Sequence, residues 1–233
     1  MSERQIVALG GGGFSSEGPG SALDDFILSL ARQPNPRVCF LPTASGDSET
    51  YVASFYRAFS PLLCRPSDLT LFRRTVGDLR KLLLEQDVIY VGGGNTANML
   101  VIWRRHGVDT ILRECWESGV VLAGISAGAI CWFEACVTDS FGLQLAALND
   151  GLAFLPGSAC PHYDSEERRR PVYQRLVGEG FTGGYAADEG VGLHFTGTRF
   201  TEAVSSRPGA NAYELTLEAG RVNERTIAPR LLG

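Results

Sequence analysis

Short apolar runs rich in β-branched residues alternate along this chain with segments in which apolar residues recur every three to four positions. Strands predicted from the apolar runs cover residues 5–9, 37–41, 69–72, 87–91 and 120–123. Helices predicted from the periodicity pass through residues 23–30, 51–59, 78–84, 99–103 and 111–116. This alternation is typical of βαβ units that build a mainly parallel sheet flanked by helices.

The last hundred residues have a more β-like pattern. Apolar residues alternate or cluster as in short strands at residues 187–195, 199–204 and 212–217. No internal repeat, low-complexity tract or long linker interrupts the chain. We therefore predict one α/β domain over residues 1–233 with a β-rich C-terminal part.

Charge and hydropathy exclude several classes of protein. The chain has 21 Lys and Arg against 26 Asp and Glu, a net charge of −5, so no nucleic-acid partner is expected. With 44% hydrophobic residues the sequence is also unlike a disordered chain. No window reaches the roughly 18 uncharged apolar residues of a membrane helix, and the N-terminus runs straight into a strand-like segment. We expect no membrane partner and a cytoplasmic location.

Cysteine and histidine offer little support for a metal site. The six cysteines form no CxxC pair, and most lie in apolar runs where a free thiol packs as a small hydrophobe. The three histidines show no HxH or HxxxH spacing. We expect structural thiols, no metal and no organic cofactor.

A G-x-S-x-G pattern follows the predicted strand at residues 120–123. Ser126 stands in Gly124-Ile125-Ser126-Ala127-Gly128, and an apolar helix is predicted after it through Ile130, Trp132 and Phe133. A sharp strand-to-helix turn needs small flanking residues and presents the serine hydroxyl at the carboxyl edge of the sheet. The pattern thus predicts a nucleophilic serine, the alternative being a helix start packed closely on the sheet.

A second glycine-rich turn, GGGNT, follows the preceding predicted strand. Its glycines allow backbone N–H groups to approach a ligand, and we predict that the N–H groups of Gly94 and Ala127 form an oxyanion hole. Gly93 and Asn95 would then contact the substrate. The alternative is a phosphate-binding or merely tight turn, but no Walker lysine follows. The glycines at residues 10–13 give no dinucleotide fingerprint, because no acidic residue ends the second strand.

His162 is the predicted general base. It lies in CPHYD, where Pro161 restricts the approach of the chain and can hold an imidazole in one place. His106 follows two arginines at a predicted helix end, which favours a surface role. His194 lies in the middle of a predicted strand, which favours a structural one.

Two acids compete for the role of orienting this histidine. Asp139 in TDS would give the chain order Ser, acid, His that is familiar from hydrolases with such a turn, whereas Glu189 in ADEG lies beside a glycine that permits close backbone approach. The residues alone leave this choice open.

Five ordered motifs, of which GGGNT and GISAGA are two, resemble the dipeptidase E family of serine peptidases. This family includes aspartyl dipeptidases and cyanophycinases. The other three are FLPTAS with Pro42 and Thr43, CPHYD with His162 and DEG with Glu189, and together they span nearly the whole chain. The resemblance implies a fold like class I glutamine amidotransferases, also called flavodoxin-like, and a homodimer. It also implies a Ser126-His162-Glu189 triad, and on that ground we prefer Glu189 to Asp139.

One departure from the family concerns substrate specificity. Aspartyl dipeptidases of this family carry a longer loop after the histidine, with an arginine that pairs with the substrate's aspartate. Here Arg168, Arg169 and Arg170 follow almost at once. Arg169 or Arg170 could bind a substrate carboxylate, or the three arginines could simply begin a charged helix with Glu166 and Glu167.

The expected function is hydrolysis of the amide bond of a small peptide through an acyl-enzyme on Ser126. Cleavage of Asp-X dipeptides is one form of this expectation. A cyanophycinase-like enzyme, or another amide or ester hydrolase on the same scaffold, is an alternative. A non-catalytic module that binds a small ligand is another.

Overall fold

The computed structural model describes residues 3–233. The strands are β1 (Gln5–Leu9), β2 (Arg37–Leu41), β3 (Arg65–Asp68), β4 (Val88–Val91), β5 (Val121–Ile125), β6 (Phe133–Thr138), β7 (Ala146–Leu148), β8 (Leu155–Cys160), β9 (Gly184–Ala187), β10 (Val191–Thr196), β11 (Arg199–Ser205), β12 (Ala212–Glu218), β13 (Arg221–Ile227) and β14 (Arg230–Leu231). The helices are α1 (Gly13–Ser16), α2 (Ala22–Ser29), α3 (Glu49–Phe59), α4 (Leu79–Leu84), α5 (Thr96–His106), α6 (Val108–Ser118), α7 (Ala127–Ile130) and α8 (Arg169–Gly178). Each of these helices is too short or too polar to span a lipid bilayer.

The larger sheet has eight strands in the order β14-β11-β10-β1-β5-β4-β2-β3. Its five strands from β1 to β3 are parallel, while β10 runs antiparallel to β1. The carboxyl ends of β1, β4 and β5 therefore meet at one edge, where α/β proteins place their ligands. The predicted α/β class is confirmed.

A smaller sheet of six strands has the order β13-β12-β9-β8-β6-β7. Strands β6, β8 and β9 are parallel, β12 and β7 pair antiparallel with β9 and β6, and β13 pairs antiparallel with β12. The chain passes from this sheet to the larger one between β9 and β10, so residues 188–190 lie where the two sheets meet.

Alternating side chains of β1 enter two different cores. Val7 and Leu9 pack with α1, α2 and α3 on one face of the larger sheet. Ile6 and Ala8 belong to the core on the other face, which also holds residues of α4 to α7 and of the smaller sheet. Helix α8 packs on the smaller sheet in a third cluster. Both faces of β1, β2, β4 and β5 are covered, which explains their continuous apolar sequence.

The strand predicted at residues 69–72 is wrong: β3 spans Arg65–Asp68 instead. The apolar run reflects burial of Leu69 and Leu71 and not strand pairing. The N–H of Leu71 donates to the Asp47 carboxylate at 2.5 Å instead of to a neighbouring strand. Strand β3 is at the sheet edge, where a polar sequence with a proline is tolerated.

Two further predictions are corrected. The helix after Ser126 ends at Ile130, and Phe133 already begins β6, because the backbone at residues 131–133 bonds to residues 152–155. The strand predicted at residues 187–195 is two strands in different sheets, β9 and β10, joined by the turn that carries Glu189. Helix α1 and strands β6, β7, β8, β13 and β14 have no counterpart among the predicted elements, and α8 corresponds to the charged helix that was the alternative at the three arginines.

Candidate active site

Ser126 occupies a strained turn between β5 and α7. Its φ of 54° and ψ of −114° lie in a region that non-glycine residues rarely adopt. A Cβ on Gly124 would lie 2.1 Å from the carbonyl oxygen of Gly128, and one on Gly128 would lie 2.3 Å from that of Val91. Both positions therefore require glycine, and the backbone around Ser126 has the strand-serine-helix form predicted from the sequence.

The GGGNT turn lies directly against Ser126. A Cβ on Gly93 would be 3.3 Å from Ser126 Cβ, a tight contact, and 3.9 Å from its Oγ. Gly94 has a φ of 136°, and a Cβ there would lie 2.2 Å from the carbonyl oxygen of Ala44. Within residues 3–233 the Gly94 N–H has no hydrogen-bond partner. Ala127 begins α7, so its N–H has no acceptor within the helix.

The carboxyl end of β1 binds the backbone of both the serine and the histidine. The Leu9 carbonyl accepts the N–H of Ser126 at 3.1 Å, and the next carbonyl, that of Gly10, accepts the N–H of His162 at 2.8 Å. Consecutive carbonyls thus fix the backbone of both residues at one edge of the larger sheet. Inside the described range, the Ser126 hydroxyl has no hydrogen-bond partner, and the bond of the His162 side chain is to Glu189.

His162 and Glu189 form a hydrogen-bonded pair. His162 follows β8 with a φ of 52°, and its Nδ1 lies 2.8 Å from Glu189 Oε2. The bond from His162 lowers the pKa of the Glu189 carboxyl despite partial burial. An ionised acceptor at Nδ1 keeps the proton there and leaves Nε2 free to accept another.

The glycine loop after β1, residues 10–13, binds the carboxylate of Glu189. The Gly12 N–H donates to Glu189 Oε1 at 2.9 Å, and the Ser16 hydroxyl donates to the same oxygen at 3.1 Å. A Cβ on Gly11 would overlap the carboxylate, at 2.0 Å from Oε2. Sequence reasoning missed this role, although four consecutive glycines after a strand were the available signal.

Asp139, the alternative acid, lies elsewhere. It is exposed after β6 and has no contact with His162. The following residue, Ser140, accepts the Asn95 side-chain N–H at its carbonyl, 2.9 Å away. Asn95 Oδ1 in turn caps α5 by accepting the N–H of Asn98 at 2.9 Å. The predicted substrate contact Asn95 therefore has a structural task and places the loop of residues 139–145 beside Gly94.

Of the three arginines, two are engaged within the protein. Arg169 is buried, and its guanidinium bonds to Glu166 Oε2 at 2.7 Å and to the Val137 carbonyl at 3.1 Å. Arg170 pairs with Glu224. The structure does not bring either predicted carboxylate-binding residue to Ser126, because these contacts hold α8 to the smaller sheet. Arg168 is exposed before α8.

The other histidines lie away from this edge. His106 ends α5, and His194 is buried in β10 with Nε2 2.6 Å from Gln5 Oε1. Burial lowers the pKa of His194. Residues 3–233 contain no group of three or more His, Cys, Asp or Glu side chains that could hold a metal ion.

The model of peptidase family S51 matches residues 6–203. A protein of Bacillus subtilis (strain 168) called uncharacterized peptidase YgaJ is 52% identical over 231 residues, covering 99% of this chain and 100% of that protein. The chain belongs to peptidase family S51. This confirms the resemblance seen in its motifs, and since the family's class is serine-type, the chain is a serine-type peptidase.

Two less similar proteins are also named as peptidases. Peptidase E of Pasteurella multocida (strain Pm70) is 29% identical over 126 residues, 50% of this chain and 54% of that protein. The crystal structure of a peptidase from an acI-B1 Actinobacterium superimposes with a TM-score of 0.69 at 20% identity and covers 97% of this chain and 95% of that one. At this identity the superposition supports the S51 fold alone.

Proposed function

We propose that this S51 peptidase hydrolyses the amide bond of dipeptides or short peptides through an acyl-enzyme on Ser126. The observation that carries the proposal is the pair of consecutive carbonyls, Leu9 and Gly10, that bind the backbones of Ser126 and His162 at one edge, together with the bond between Glu189 and His162 Nδ1. Serine, histidine and an ionised acid in this arrangement are the parts of a nucleophilic triad.

In the first half of the reaction, Ser126 Oγ attacks the scissile carbonyl carbon while His162 Nε2 takes the hydroxyl proton. The tetrahedral intermediate carries a negative oxygen, for which the N–H groups of Gly94 and Ala127 are the proposed donors. Collapse breaks the C–N bond, and His162 returns its proton to the leaving amine.

In the second half, water replaces the amine. His162 Nε2 takes a proton from the water as its oxygen attacks the acyl carbon, and collapse restores the Ser126 hydroxyl and releases a carboxylic acid. Glu189 stays ionised and stabilises the imidazolium in both halves. No metal or organic cofactor takes part in the proposed steps.

An open cleft of about 540 Å³ is the proposed entry for the substrate. It is lined by Asp139, Gly142, Leu143, Leu145, Glu166, Glu167 and Arg168. Its walls are the loop bound to Asn95 on one side and the segment after His162 on the other. Because Glu166 is paired with Arg169, Asp139 and Glu167 remain in the lining against Arg168 alone, and we propose no preference for an aspartate side chain at the N-terminal position of the substrate.

The proposal also covers three properties that were expected from the sequence. They are a fold arranged like class I glutamine amidotransferases, a homodimer and a cytoplasmic location. Light scattering on the purified protein tests the dimer directly, since a monomeric mass at micromolar concentration contradicts it.

A fluorophosphonate probe tests the central proposal, because it labels a serine only when a neighbouring base activates it. Purified protein is labelled, digested and analysed by mass spectrometry, and dipeptide hydrolysis is followed as free amine release. We expect the label on Ser126, and no label or turnover in Ser126→Ala or His162→Ala. Ser29→Ala, at an exposed serine on α2, is the control and should behave like the wild type.

The outcomes separate the rival functions. A labelled protein that releases no amine from any dipeptide or short peptide indicates a different amide or ester substrate. A protein without label indicates a binding module. Retained turnover in either Ser126→Ala or His162→Ala contradicts the triad, since removal of one member of such a unit costs about as much as removal of all.

A further inference from the structure

The segment after His162 runs beside the turn that carries Glu189. The N–H of Tyr163 donates to the Ala187 carbonyl at 3.1 Å. One residue later, the Asp164 carboxylate accepts the backbone N–H of Glu189 at 2.8 Å through Oδ1. Asp164 thus holds the backbone of the residue whose side chain holds His162.

On one side of this contact the backbone is strained. His162 has a φ of 52°, whereas Gly190, next to Glu189, has a φ of 77° that glycine adopts without strain. A non-glycine residue at positive φ is strained by on the order of 1 kcal/mol, so the surroundings must hold it there. The bond from Glu189 N–H to Asp164 supplies such a restraint across the two segments.

Arg207 completes the arrangement by balancing charge. Its guanidinium pairs with Asp164 Oδ2, the oxygen that does not bind Glu189. Burial alone would raise the pKa of Asp164, but the Glu189 N–H and Arg207 together lower it. The Glu189 N–H and the Arg207 guanidinium therefore keep Asp164 ionised, although the carboxylate of Glu189 is nearby.

The backbone of Arg207 is fixed to the same turn. The hydroxyl of buried Ser205 lies 3.0 Å from the Gly190 carbonyl and also accepts the N–H of Arg207 at 3.0 Å. Arg207 also packs closely on Gly190, since a Cβ added to Gly190 would lie 3.2 Å from the Cβ of Arg207. Arg207 is thus built into the turn after Glu189 and points toward Asp164.

We propose that Asp164 is a positioning residue that, with Arg207 as its counter-charge, holds Glu189 in the orientation that receives His162 Nδ1–H. This inference rests on the proposed function, since it assigns a role in the reaction of Ser126 and His162. Asp164 touches neither the reacting serine nor the imidazole and acts through Glu189 alone.

The first test compares Asp164→Ala with Asp164→Asn in dipeptide hydrolysis. Asn keeps an oxygen that accepts the Glu189 N–H, whereas Ala removes it. We expect kcat to fall about 10- to 100-fold in Asp164→Ala, with KM within about twofold, because a small misplacement of a catalytic group costs this much. Asp164→Asn should keep most of the wild-type kcat. Glu179→Ala, which removes an exposed ion pair with Arg175 on α8, is the control.

The second test uses only conservative variants, so it stands even where Asp164→Ala does not fold. Asp164→Asn leaves Arg207 unpaired and adds positive charge near the imidazole, whereas Arg207→Gln leaves Asp164 unpaired and adds negative charge. The acidic limb of the pH profile of kcat/KM should move to lower pH in the first and to higher pH in the second, by about half a pH unit. Asp188 and Glu17, the other acids beside this turn, are the same in both variants.

The wild type separates the two levels of the proposal. A wild type that neither reacts with the fluorophosphonate nor hydrolyses peptides refutes the proposed function. An active wild type with full kcat in Asp164→Ala, or with equal loss in Asp164→Ala and Asp164→Asn, overturns the positioning role alone. So do pH limbs that stay in place or move in the same direction.

Discussion

His162 Nδ1 lies 2.8 Å from Glu189 Oε2, although the two residues are 27 positions apart and belong to different connections. His162 follows β8 of the smaller sheet, and Glu189 lies in the turn that leads from β9 of that sheet to β10 of the larger one. The bond therefore joins the two sheets at the edge where Ser126 emerges. Its geometry depends on how the sheets meet and not on any local motif.

This relationship predicts unequal effects of two isosteric substitutions. Glu189→Gln should lower kcat by about two to four orders of magnitude, because an amide no longer fixes the tautomer of His162 or stabilises the imidazolium. Asp139→Asn should change kcat little, since Asp139 is exposed and does not contact His162. Steady-state kinetics on one dipeptide measure both.

The comparison has a built-in control, because both substitutions remove one negative charge without changing size. Equal losses would point to a general charge effect. A larger loss in Asp139→Asn would transfer the orienting role to Asp139 and refute the triad proposed above.

Gly11 offers a second way to disturb the same carboxylate. In Gly11→Ala the new Cβ would overlap Glu189 Oε2, and the end of a flexible side chain moves more easily than backbone. We therefore expect kcat to fall about as far as in Glu189→Gln, while the free energy of unfolding changes by less than about 1 kcal/mol. Kinetics and urea unfolding on the same preparations check this.

Gly77→Ala is the matched control for that variant. A Cβ at Gly77 meets nothing within 4 Å, so activity and stability should both stay near wild type. If Gly11→Ala were fully active, Glu189 would have to be bound elsewhere in solution than in the structure.

The sequence predicted the features of this site that local sterics decide. The turn at Ser126 follows from small residues at Gly124 and Gly128, because a side chain at Gly124 collides with the backbone of Gly128 and one at Gly128 with that of Val91 on the neighbouring strand β4. The parallel strands β1, β2, β4 and β5 follow from apolar runs buried on both faces. In these places a short sequence pattern, either an apolar run or a pair of glycines around the serine, is enough to indicate the structure.

Features that depend on distant pairing could not be predicted. The Gly12 N–H and Glu189 are 177 positions apart, and no periodicity in either segment indicates that they meet. The polar edge strand β3 is formed by its pairing with β2 and not by its own sequence. The choice between Glu189 and Asp139 stayed open on the residues alone for the same reason, since it depends on how two sheets are placed.

The arginines after the histidine give a third prediction. Arg169→Ala should destabilise the fold by roughly 1–3 kcal/mol, because it leaves the buried Val137 carbonyl without its donor. Its ratio of kcat/KM for Asp-Leu over Asn-Leu should stay at the wild-type value. Arg168→Ala, at the exposed cleft residue, should leave stability unchanged.

Measured kcat/KM values for the two dipeptides decide the matter of specificity. We expect a wild-type ratio no greater than about one, because acidic residues outnumber the single arginine in the lining of the cleft. A preference of about 100-fold for Asp-Leu that disappears in an alanine variant at position 168, 169 or 170 would show that one of these guanidiniums binds substrate.

The last prediction concerns Asp24, which is buried next to the glycine loop that binds Glu189. Its carboxyl accepts the hydroxyl of Tyr90 at 3.1 Å, and burial raises its pKa from 3.8 to about 7. Below pH 4 the carboxyl is protonated in both folded and unfolded chains, and it contributes nothing to the pH dependence of stability. Between pH 4 and 7 only the unfolded chain releases the proton, so the free energy of unfolding falls as pH rises, by as much as about 4 kcal/mol.

Asp24→Asn removes this loss, because the amide cannot ionise and resembles the protonated acid. The difference in unfolding free energy, variant minus wild type, should therefore be larger at pH 8 than at pH 5. Asp25→Asn is the control, since Asp25 is the exposed neighbour on α2 and its variant should run parallel to the wild type. Urea unfolding at the two pH values measures all three proteins, and parallel behaviour of Asp24→Asn would mean that Asp24 ionises in the folded chain as readily as in the unfolded one.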